Sequence, residues 1–257
     1  MPYFKTLILL LFISIQSHCE HVDYFVISKQ ARPFQIESNG QKHSGIVSDI
    51  VTEIFRRSPH TVKVHTLPFK RMVKELKSGR YPNWLNYGTP SWGSPQGDNL
   101  SKTPLIKTSH VVLSSKKNNF EYQNIEDLYT KQVLLFLGFL YPGLDKYIEA
   151  GHIKARRLQS YEAVFKSLDR EERLKRKAVF IGMRSRILYN LLQNKRNPND
   201  YRLSDFSSIV PSYSISLAYS PTFSPELKSF IEARLVELEA NGFIEKTKQA
   251  YLEEAKK

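Results

Sequence analysis

The 257-residue sequence contains a single cysteine, Cys19. One thiol cannot form a disulfide within the chain, and metal sites built from cysteines need several of them. The seven histidines show no H-E-x-x-H motif or other paired ligand spacing, and the G-x-S-x-G and Walker A motifs are also missing. These absences remove the common signatures of metal, nucleophilic and nucleotide chemistry. We therefore expect a protein that is not an enzyme and has no catalytic residues, no metal and no cofactor.

Long hydrophobic runs are also scarce. Residues 6–15 (TLILLLFISI) form an apolar run of ten that follows Lys5 and precedes the polar residues 16–19. A span across a hydrocarbon core of about 30 Å needs roughly twenty apolar residues. A positive start, a short apolar core and small residues after it are typical of a secretory signal peptide. We predict that residues 1–19 are this peptide, and that the protein is exported to the periplasm.

Cleavage after Cys19 would leave the mature chain without cysteine, which suits an oxidising compartment. Lipid attachment at Cys19 is the alternative, but residues 16–18 (QSH) do not resemble a lipobox. The mature chain contains no second apolar run of membrane-spanning length, so we expect a soluble protein.

The net charge is +13, from 38 Lys and Arg against 25 Asp and Glu. A protein that follows a phosphate backbone usually gathers its basic residues into one stripe. Here they are spread along the chain, with only a local concentration at residues 170–186. The charge pattern therefore predicts no nucleic-acid partner.

Short β-branched and aromatic segments alternate with segments of helical periodicity along most of the chain. The predicted strands are residues 22–28, 62–67, 84–92, 111–114, 133–137, 153–157, 178–182 and 215–219. The predicted helices cover residues 45–57, 69–79, 144–150, 161–168, 184–193, 225–242 and 243–251. Such alternation is typical of α/β folds with largely parallel sheets. The polar segment 116–119 interrupts it, which indicates two α/β units in series.

Seven short motifs occur in an order that resembles the family 3 extracellular solute-binding proteins, those of polar amino-acid uptake systems. The resemblance covers nearly all of the chain after residue 19. The motifs are Pro33-Phe34, Gly45-x-x-x-Asp49-Ile50, Leu67-Pro68-Phe69-x-Arg71, Lys77-x-Gly79, Leu100-Ser101-x-x-Pro104, Ile125-x-Asp127-Leu128 and Leu235-x-x-Leu238-x-x-x-Gly242. Each motif is weak alone, and their order and spacing carry the resemblance.

The resemblance implies a two-lobed α/β fold of the periplasmic-binding-protein type II. Its first lobe would be discontinuous (residues 20–113 and 212–257) and its second lobe would be residues 114–211, with crossings near 113–116 and 211–214. The implied function is capture of a small polar or anionic ligand by hinge closure. We expect a monomer that delivers its ligand to a membrane transporter permease. A ligand sensor acting on a signalling partner and an exported enzyme on the same fold are the alternatives.

One departure from the family pattern concerns the ligand. Family members that bind amino acids carry a Thr-x-x-Arg element whose Arg holds the ligand carboxylate. This chain has Thr89 followed by Trp92 at that place, and an indole cannot replace a guanidinium fork. The acidic residue that would hold an α-ammonium is also missing, since Lys177-Ala178 and Gly182-Met183-Arg184 stand there. Free α-amino acids are therefore poor candidate ligands.

Three aromatic residues are candidates for ligand contact, because the resemblance places them at strand ends that face the cleft. These are Phe34, Tyr87 and Trp92, with Thr89 beside them. Aromatic side chains at such positions stack on rings and apolar ligand parts. The alternative is that they pack in the core of the lobe.

Three further residues are candidates for binding an anionic group. Arg71 opens a helix but is also consistent with a solvated surface cation. Tyr141 follows a strand-to-helix turn, where backbone N–H groups can receive an anion. Arg184 follows the predicted strand 178–182 and is the best remaining cation for a ligand carboxylate or phosphate.

Overall fold

Two separate five-stranded sheets organise the protein. The computed structural model describes residues 19–38 and 42–252. The strand order is β2-β1-β3-β10-β4 in the first sheet and β7-β6-β8-β5-β9 in the second. Both sheets mix parallel and antiparallel pairs and carry helices, so the predicted two-lobed α/β fold is confirmed. The predicted signal peptide lies outside the described residues, apart from Cys19, which is exposed and free.

The first sheet contains the beginning and the end of the chain. Its strands are β1 (His21–Ile27), β2 (Thr61–Leu67), β3 (Trp84–Gly88), β4 (Leu100–Thr108) and β10 (Tyr213–Tyr219). Its helices are α1 (Ile46–Phe55), α2 (Phe69–Lys77), α6 (Pro225–Ala240) and α7 (Phe243–Leu252). The last two helices return to this sheet, because Leu227, Ile231 and Leu235 share its core with Phe25. We call this unit the first lobe.

The second sheet is built from the middle of the chain. Its strands are β5 (His110–Ser115), β6 (Gln132–Phe136), β7 (Lys154–Leu158), β8 (Ala178–Met183) and β9 (Tyr201–Asp205). Its helices are α3 (Asp145–Glu149), α4 (Tyr161–Arg173) and α5 (Arg184–Gln193). We call this unit the second lobe.

Both faces of the second sheet are buried, because successive strand residues point to opposite sides. Val133 and Leu135 pack into one hydrophobic cluster, whereas Leu134 and Phe136 pack into another on the opposite face. The second of these clusters includes Ile187 and Leu191 of α5. Helix α5 is thus attached to the second lobe through that side of its surface.

The first change of sheet lies at a different residue from the one that the resemblance implied, whereas the second overlaps the implied range 211–214. β4 pairs with β10 in the first sheet, and β5 pairs with β8 and β9 in the second. Only Ser109 separates β4 from β5, so the first crossing lies there rather than near 113–116. The return crossing lies between the end of β9 and the start of β10.

The structure adds three details to the sequence-based assignments. Residues 84–92 were predicted as a strand that runs into a Gly/Pro turn; the strand ends at Gly88, and Pro90 opens a short 3-10 helix, Pro90–Trp92. β4 was not predicted, since Pro104 is rare inside strands. It is tolerated here because β4 is an edge strand with register shifts beside Pro104. β9 was also not predicted, because it is short, partly exposed and lies at the other sheet's edge.

Within residues 19–38 and 42–252, no helix combines the length and the apolar character that a membrane crossing needs.

Candidate functional site

A buried arginine of the second lobe faces the first lobe. Strand β8 runs directly into α5, and the backbone N–H of Arg184 donates to the carbonyl oxygen of Ser109 (3.0 Å). A helix turns about 100° per residue, so two positions later the side chain points almost to the opposite side. Arg184 is therefore exposed, whereas Arg186 is only 2% exposed and lies between the lobes.

Arg186 contacts the first lobe through a hydrogen bond and a ring. Its Nη2 donates to the carbonyl oxygen of Gln30 (2.6 Å), and its guanidinium carbon lies 5.2 Å from the ring centre of Phe34. Phe139 of the second lobe lies on the guanidinium at 5.6 Å. Asn190, one turn further along α5, donates to the carbonyl oxygen of Arg32 (3.3 Å). One face of α5 is thus held against residues 30–34.

Aromatic side chains from both lobes surround Arg186 and enclose what we call the inter-lobe cavity. The first lobe contributes Trp92 and Tyr213, whose ring centres are 6.4 Å apart. The second lobe contributes further rings and Met183. Its ring residues are His110, Phe136, Phe139, Tyr141 and Tyr161. The remaining free space is about 20 Å³, room for about one water molecule.

The two lobes also touch beside this cavity. The rings of Phe69, at the start of α2, and Phe139 stack with centres 4.5 Å apart and planes 18° apart. Such a ring pair contributes about 0.5–1.5 kcal/mol beyond the area it buries. The lobes are therefore held together on one side by α5 and on another by this stack.

Several buried polar atoms near Arg186 lack a partner among the described residues. They are the hydroxyls of Tyr87, Tyr161 and Tyr213, Nδ1 of His110 and Nε of Arg186. The Tyr87 hydroxyl is close to the guanidinium and the Tyr213 hydroxyl is close to the Trp92 indole, but the geometry of both pairs falls short of a hydrogen bond. An unpartnered buried polar group costs about 1–3 kcal/mol, and folded proteins keep only a few. Their concentration in one place makes this cavity the candidate binding site.

The charge of Arg186 dominates the electrostatics of the cavity. Burial raises the pKa of Tyr87, Tyr161 and Tyr213, and raises that of Tyr141 to about 12, while Arg186 opposes each rise. Burial and Arg186 together lower the pKa of His110 to about 4. At neutral pH the phenols and the imidazole are uncharged, so Arg186 is the cation of this group.

The structure brings four of the sequence-predicted residues to this region. Trp92 and Tyr141 line the cavity, and the Tyr141 hydroxyl accepts from the backbone N–H of Phe136 (2.9 Å). Tyr87 contacts the Trp92 ring edge-on, with ring centres 5.8 Å apart. Phe34 is fully buried beneath Arg186 and packs in the core of the first lobe, in agreement with the alternative that it is a core residue.

The other three predicted residues do not line the cavity. Arg71 and Arg184 are exposed, at the start of α2 and α5 respectively. Thr89 is buried, and its carbonyl oxygen accepts from the backbone N–H of Trp92 (3.0 Å), which shapes the turn. The helix expected after Tyr141 begins only at Asp145 and has five residues, so it offers no anion site there.

Sequence reasoning missed Arg186 and His110. The signal for Arg186 was the helical register of α5, where Ile187 and Leu191 form the core-facing stripe. Arg186 and Asn190 share the same spacing on the neighbouring stripe, and the Asn190 side chain donates to the carbonyl oxygen of Arg186 (2.7 Å). No residue of that stripe was among the sequence-based candidates, because one sequence does not show what lies opposite it.

A larger groove of about 870 Å³ lies elsewhere on the first lobe, between α1, β2 and α7. Its buried hydroxyls are already paired with neighbouring polar side chains. The Tyr24 hydroxyl bonds with Ser48 (3.0 Å), and the Tyr251 hydroxyl donates to Asp49 (2.6 Å). Burial raises the pKa of Asp49, against the Tyr251 hydrogen bond. We place the functional site in the inter-lobe cavity, because there the polar groups lack partners.

Across the described part of the chain, no group of three or more His, Cys, Asp or Glu side chains is arranged to hold a metal ion.

The lowered pKa of His110 predicts a loss of stability in acid. In the unfolded chain a histidine titrates near pH 6.5, whereas in the fold His110 titrates near 4. The unfolded state therefore binds more protons between these values, so the stabilisation present above pH 6.5 is lost on acidification towards pH 4. Between pH 7 and 4.5 the protein should lose about 2–3 kcal/mol through this group.

Urea denaturation of the unsubstituted protein and of His110→Asn at both pH values measures this loss. The difference between the two proteins isolates His110 from the other titrating groups. Equal losses in both proteins would show that His110 is not held neutral in the fold.

Two α/β lobes joined by two crossings, with a charged and aromatic cavity between them, define a two-lobed binding protein. Residues 25–254 match the model of the bacterial extracellular solute-binding proteins, family 3. The chain belongs to this family. No curated protein matches the chain in sequence.

Solved structures with the same fold include several amino-acid binding proteins. The substrate-binding protein of an amino acid ABC transporter superimposes with a TM-score of 0.68 at 15% identity, covering 91% of this chain and 99% of that one. A Salmonella typhimurium periplasmic binding protein of high arginine specificity gives 0.66 at 18% identity, with 91% and 100% covered. The GluR0 ligand-binding core of Nostoc punctiforme, in complex with L-glutamate, gives 0.66 at 17% identity, with 90% and 98% covered. At these identities the likeness establishes the fold.

Proposed function

We propose that this protein is a periplasmic binding protein that captures a small polar or anionic ligand between its lobes. On hinge closure it would present the ligand to a membrane transporter. The observation that carries this proposal is the buried Arg186 with its unpartnered polar neighbours, which lies between two lobes built on separate sheets. The proposed export through residues 1–19 would bring the protein to the compartment where such transporters collect their substrates.

Ligand entry requires the lobes to separate further. The free space of about 20 Å³ admits no organic molecule, and the contacts that close it join the lobes. A ligand that binds both walls favours the closed arrangement by its additional contacts there. Changing a mostly open population into a mostly closed one takes about 5.5 kcal/mol of differential affinity. Charged hydrogen bonds to Arg186 and neutral bonds to the nearby phenols are of this order.

The direct test is native mass spectrometry of protein purified without refolding. We expect a co-purified small molecule whose addition back to dialysed protein lowers the radius of gyration in small-angle scattering. A thermal-shift panel of amino acids, organic acids, sugars and amines extends the test, since a ligand at one hundred times its Kd adds about 2.7 kcal/mol. If no compound binds and none compacts the protein, the proposal fails.

The Phe69–Phe139 stack predicts which variants open the cleft. Phe69→Ala and Phe139→Ala should each shift the unliganded protein towards an open form with a larger radius of gyration, because each removes a contact between lobes worth about 1 kcal/mol. Phe69→Ala should weaken the ligand affinity about 3- to 10-fold through this shift. Phe139→Ala should weaken it further, because Phe139 also lines the cavity beside Arg186.

The double variant should be no more open than either single variant, because both remove one contact. Leu174→Ala, at an exposed position of the second lobe, is the control and should behave as the unsubstituted protein. Additive effects of the two Phe substitutions would mean that the stack does not join the lobes.

A further inference from the structure

The charge of the inter-lobe cavity restricts what it can hold. The guanidinium of Arg186 is almost fully buried and has no ion-pair partner within residues 19–38 and 42–252. Its described contacts are one carbonyl oxygen, one sulfur and two aromatic rings, none of which carries a negative charge. A buried charge without a counter-charge is costly, so an anion is the ligand that removes this cost.

The same cavity lacks a place for an ammonium group. None of its described lining residues is Asp or Glu. His110 is neutral, and the field of Arg186 that lowers its pKa also repels a second cation. A zwitterionic amino acid would therefore bury its ammonium beside a guanidinium with no carboxylate in reach, which costs several kcal/mol. A dianion is also poorly matched, because the described lining residues include a single cation, Arg186.

The other side chains that line the cavity indicate the chemistry of the rest of the ligand. Rings of Trp92, Phe136 and Phe139 offer apolar surface, and the unpartnered Tyr161 and Tyr213 hydroxyls can donate to oxygen atoms. A carboxylate has four lone-pair directions, enough to accept from Arg186 and from both hydroxyls. An apolar or aromatic body would then lie against the rings, where stacking is favourable.

We propose that the inter-lobe cavity binds a small organic carboxylate with an apolar or aromatic body and no ammonium group, whose carboxylate pairs with Arg186. This inference rests on the proposed function and narrows it. The ligand class differs from the arginine and glutamate that the structural neighbours bind.

Two matched series of compounds test the charge requirement. The first is 3-phenylpropionate, L-phenylalanine and 2-phenylethylamine, and the second is 4-methylpentanoate, L-leucine and 3-methylbutylamine. Within each series the body is the same and only the charged groups change. Isothermal titration of dialysed full-length protein in Hepes buffer measures the six affinities. In at least one series the carboxylate should bind tenfold or more tightly than its amino acid, and the amines should give no heat.

A second experiment measures the titration of His110, which lines the cavity. Binding of the carboxylate places a negative charge near Arg186, so the NMR titration of His110 should move to higher pH when the carboxylate is present. In Arg186→Met the preference for the carboxylate over the amino acid should disappear. If the ligand bound elsewhere on the protein, the His110 titration would not move, and the Arg186→Met variant would keep its preference for the carboxylate.

The inference is overturned if the amino acid binds as tightly as its carboxylate in both series, or if none of the six compounds binds. These results leave the proposed function standing when another compound of the thermal-shift panel closes the lobes. If no compound of any class does so, both the inference and the proposed function fail.

Discussion

Replacement of Arg186 by methionine should abolish ligand binding without unfolding the protein. For 3-phenylpropionate we expect an affinity at least 100-fold weaker, because a charged hydrogen-bonded partner in a buried site is worth about 3 kcal/mol or more. Methionine has a similar length and keeps apolar contact with Phe34 and Phe139. Titration calorimetry measures the affinity, and urea denaturation measures the free energy of unfolding.

The stability of the same variant separates a binding role from a structural one. Arg186→Met removes an uncompensated buried charge, which by itself stabilises, and loses the hydrogen bond to Gln30, worth about 1–2 kcal/mol. We therefore expect the unliganded variant to be about as stable as the unsubstituted protein or more stable. A loss of about 3 kcal/mol would show that Arg186 mainly holds the fold together.

Two other arginines of the second lobe serve as comparisons. Arg173→Met, at the exposed end of α4, controls for loss of a positive charge and should leave the affinity unchanged. Arg184→Met removes the cation that was selected from the sequence, whereas Arg186→Met removes the one that the structure places in the cavity. If Arg184→Met lost affinity and Arg186→Met did not, the assignment of the site would be wrong.

Replacement of Gly88 by alanine should be the most destabilising single-methyl change near the site. A Cβ at Gly88 would lie 1.7 Å from the carbonyl oxygen and 2.7 Å from the carbonyl carbon of Gln96. Both atoms are backbone, so the clash cannot be relieved by a side-chain rotation. We expect a loss of about 3 kcal/mol or more in urea denaturation, at the upper end of what single substitutions cost.

The clash would also move the residues that follow Gly88. The Gln96 side chain donates to Asn86 Oδ1 (2.7 Å) and to the carbonyl oxygen of Tyr87 (2.8 Å), which ties the turn to β3. This turn carries Trp92 into the cavity. A Gly88→Ala protein that still folds should therefore bind its ligand more weakly, and the tryptophan fluorescence should change.

Gly79→Ala is the matched control for this prediction. Gly79 has φ +71°, but a Cβ there would have no neighbour within 4 Å. Its substitution therefore incurs only the left-handed backbone cost of about 1–2 kcal/mol. If Gly88→Ala were no more destabilising than Gly79→Ala, the contact with Gln96 would not constrain the turn.

The secondary structure could be predicted from local patterns to a large extent. The continuous apolar run in residues 133–136 and the helical spacing in α1 and α6 follow from which side chains avoid water within one element. β4 and the first crossing could not be predicted in this way. Whether β4 continues past Pro104 depends on its pairing with β10, which lies more than a hundred residues away in the sequence. β5 belongs to the second sheet because it pairs with β8 and β9.

The aromatic residues of the candidate site could also be predicted from the sequence. Phe34, Tyr87 and Trp92 were selected as candidates because the resemblance placed them at strand ends facing a cleft. The structure gathers these three with Arg186, but a single sequence did not indicate Arg186 itself. Its neighbour Arg184 has the same chemistry, and only the packing of Ile187 and Leu191 decides which of the two arginines turns inward.

By itself, the sequence determined the α/β class, the arrangement as two α/β units in series and the absence of a cysteine or histidine metal motif. Each of these follows from composition and from short-range periodicity. The tertiary structure decided where the chain changes lobes, which arginine is buried and which polar atoms lack partners. These depend on contacts such as that of Arg186 with Gln30, 156 residues apart, and no local pattern encodes a contact at that separation.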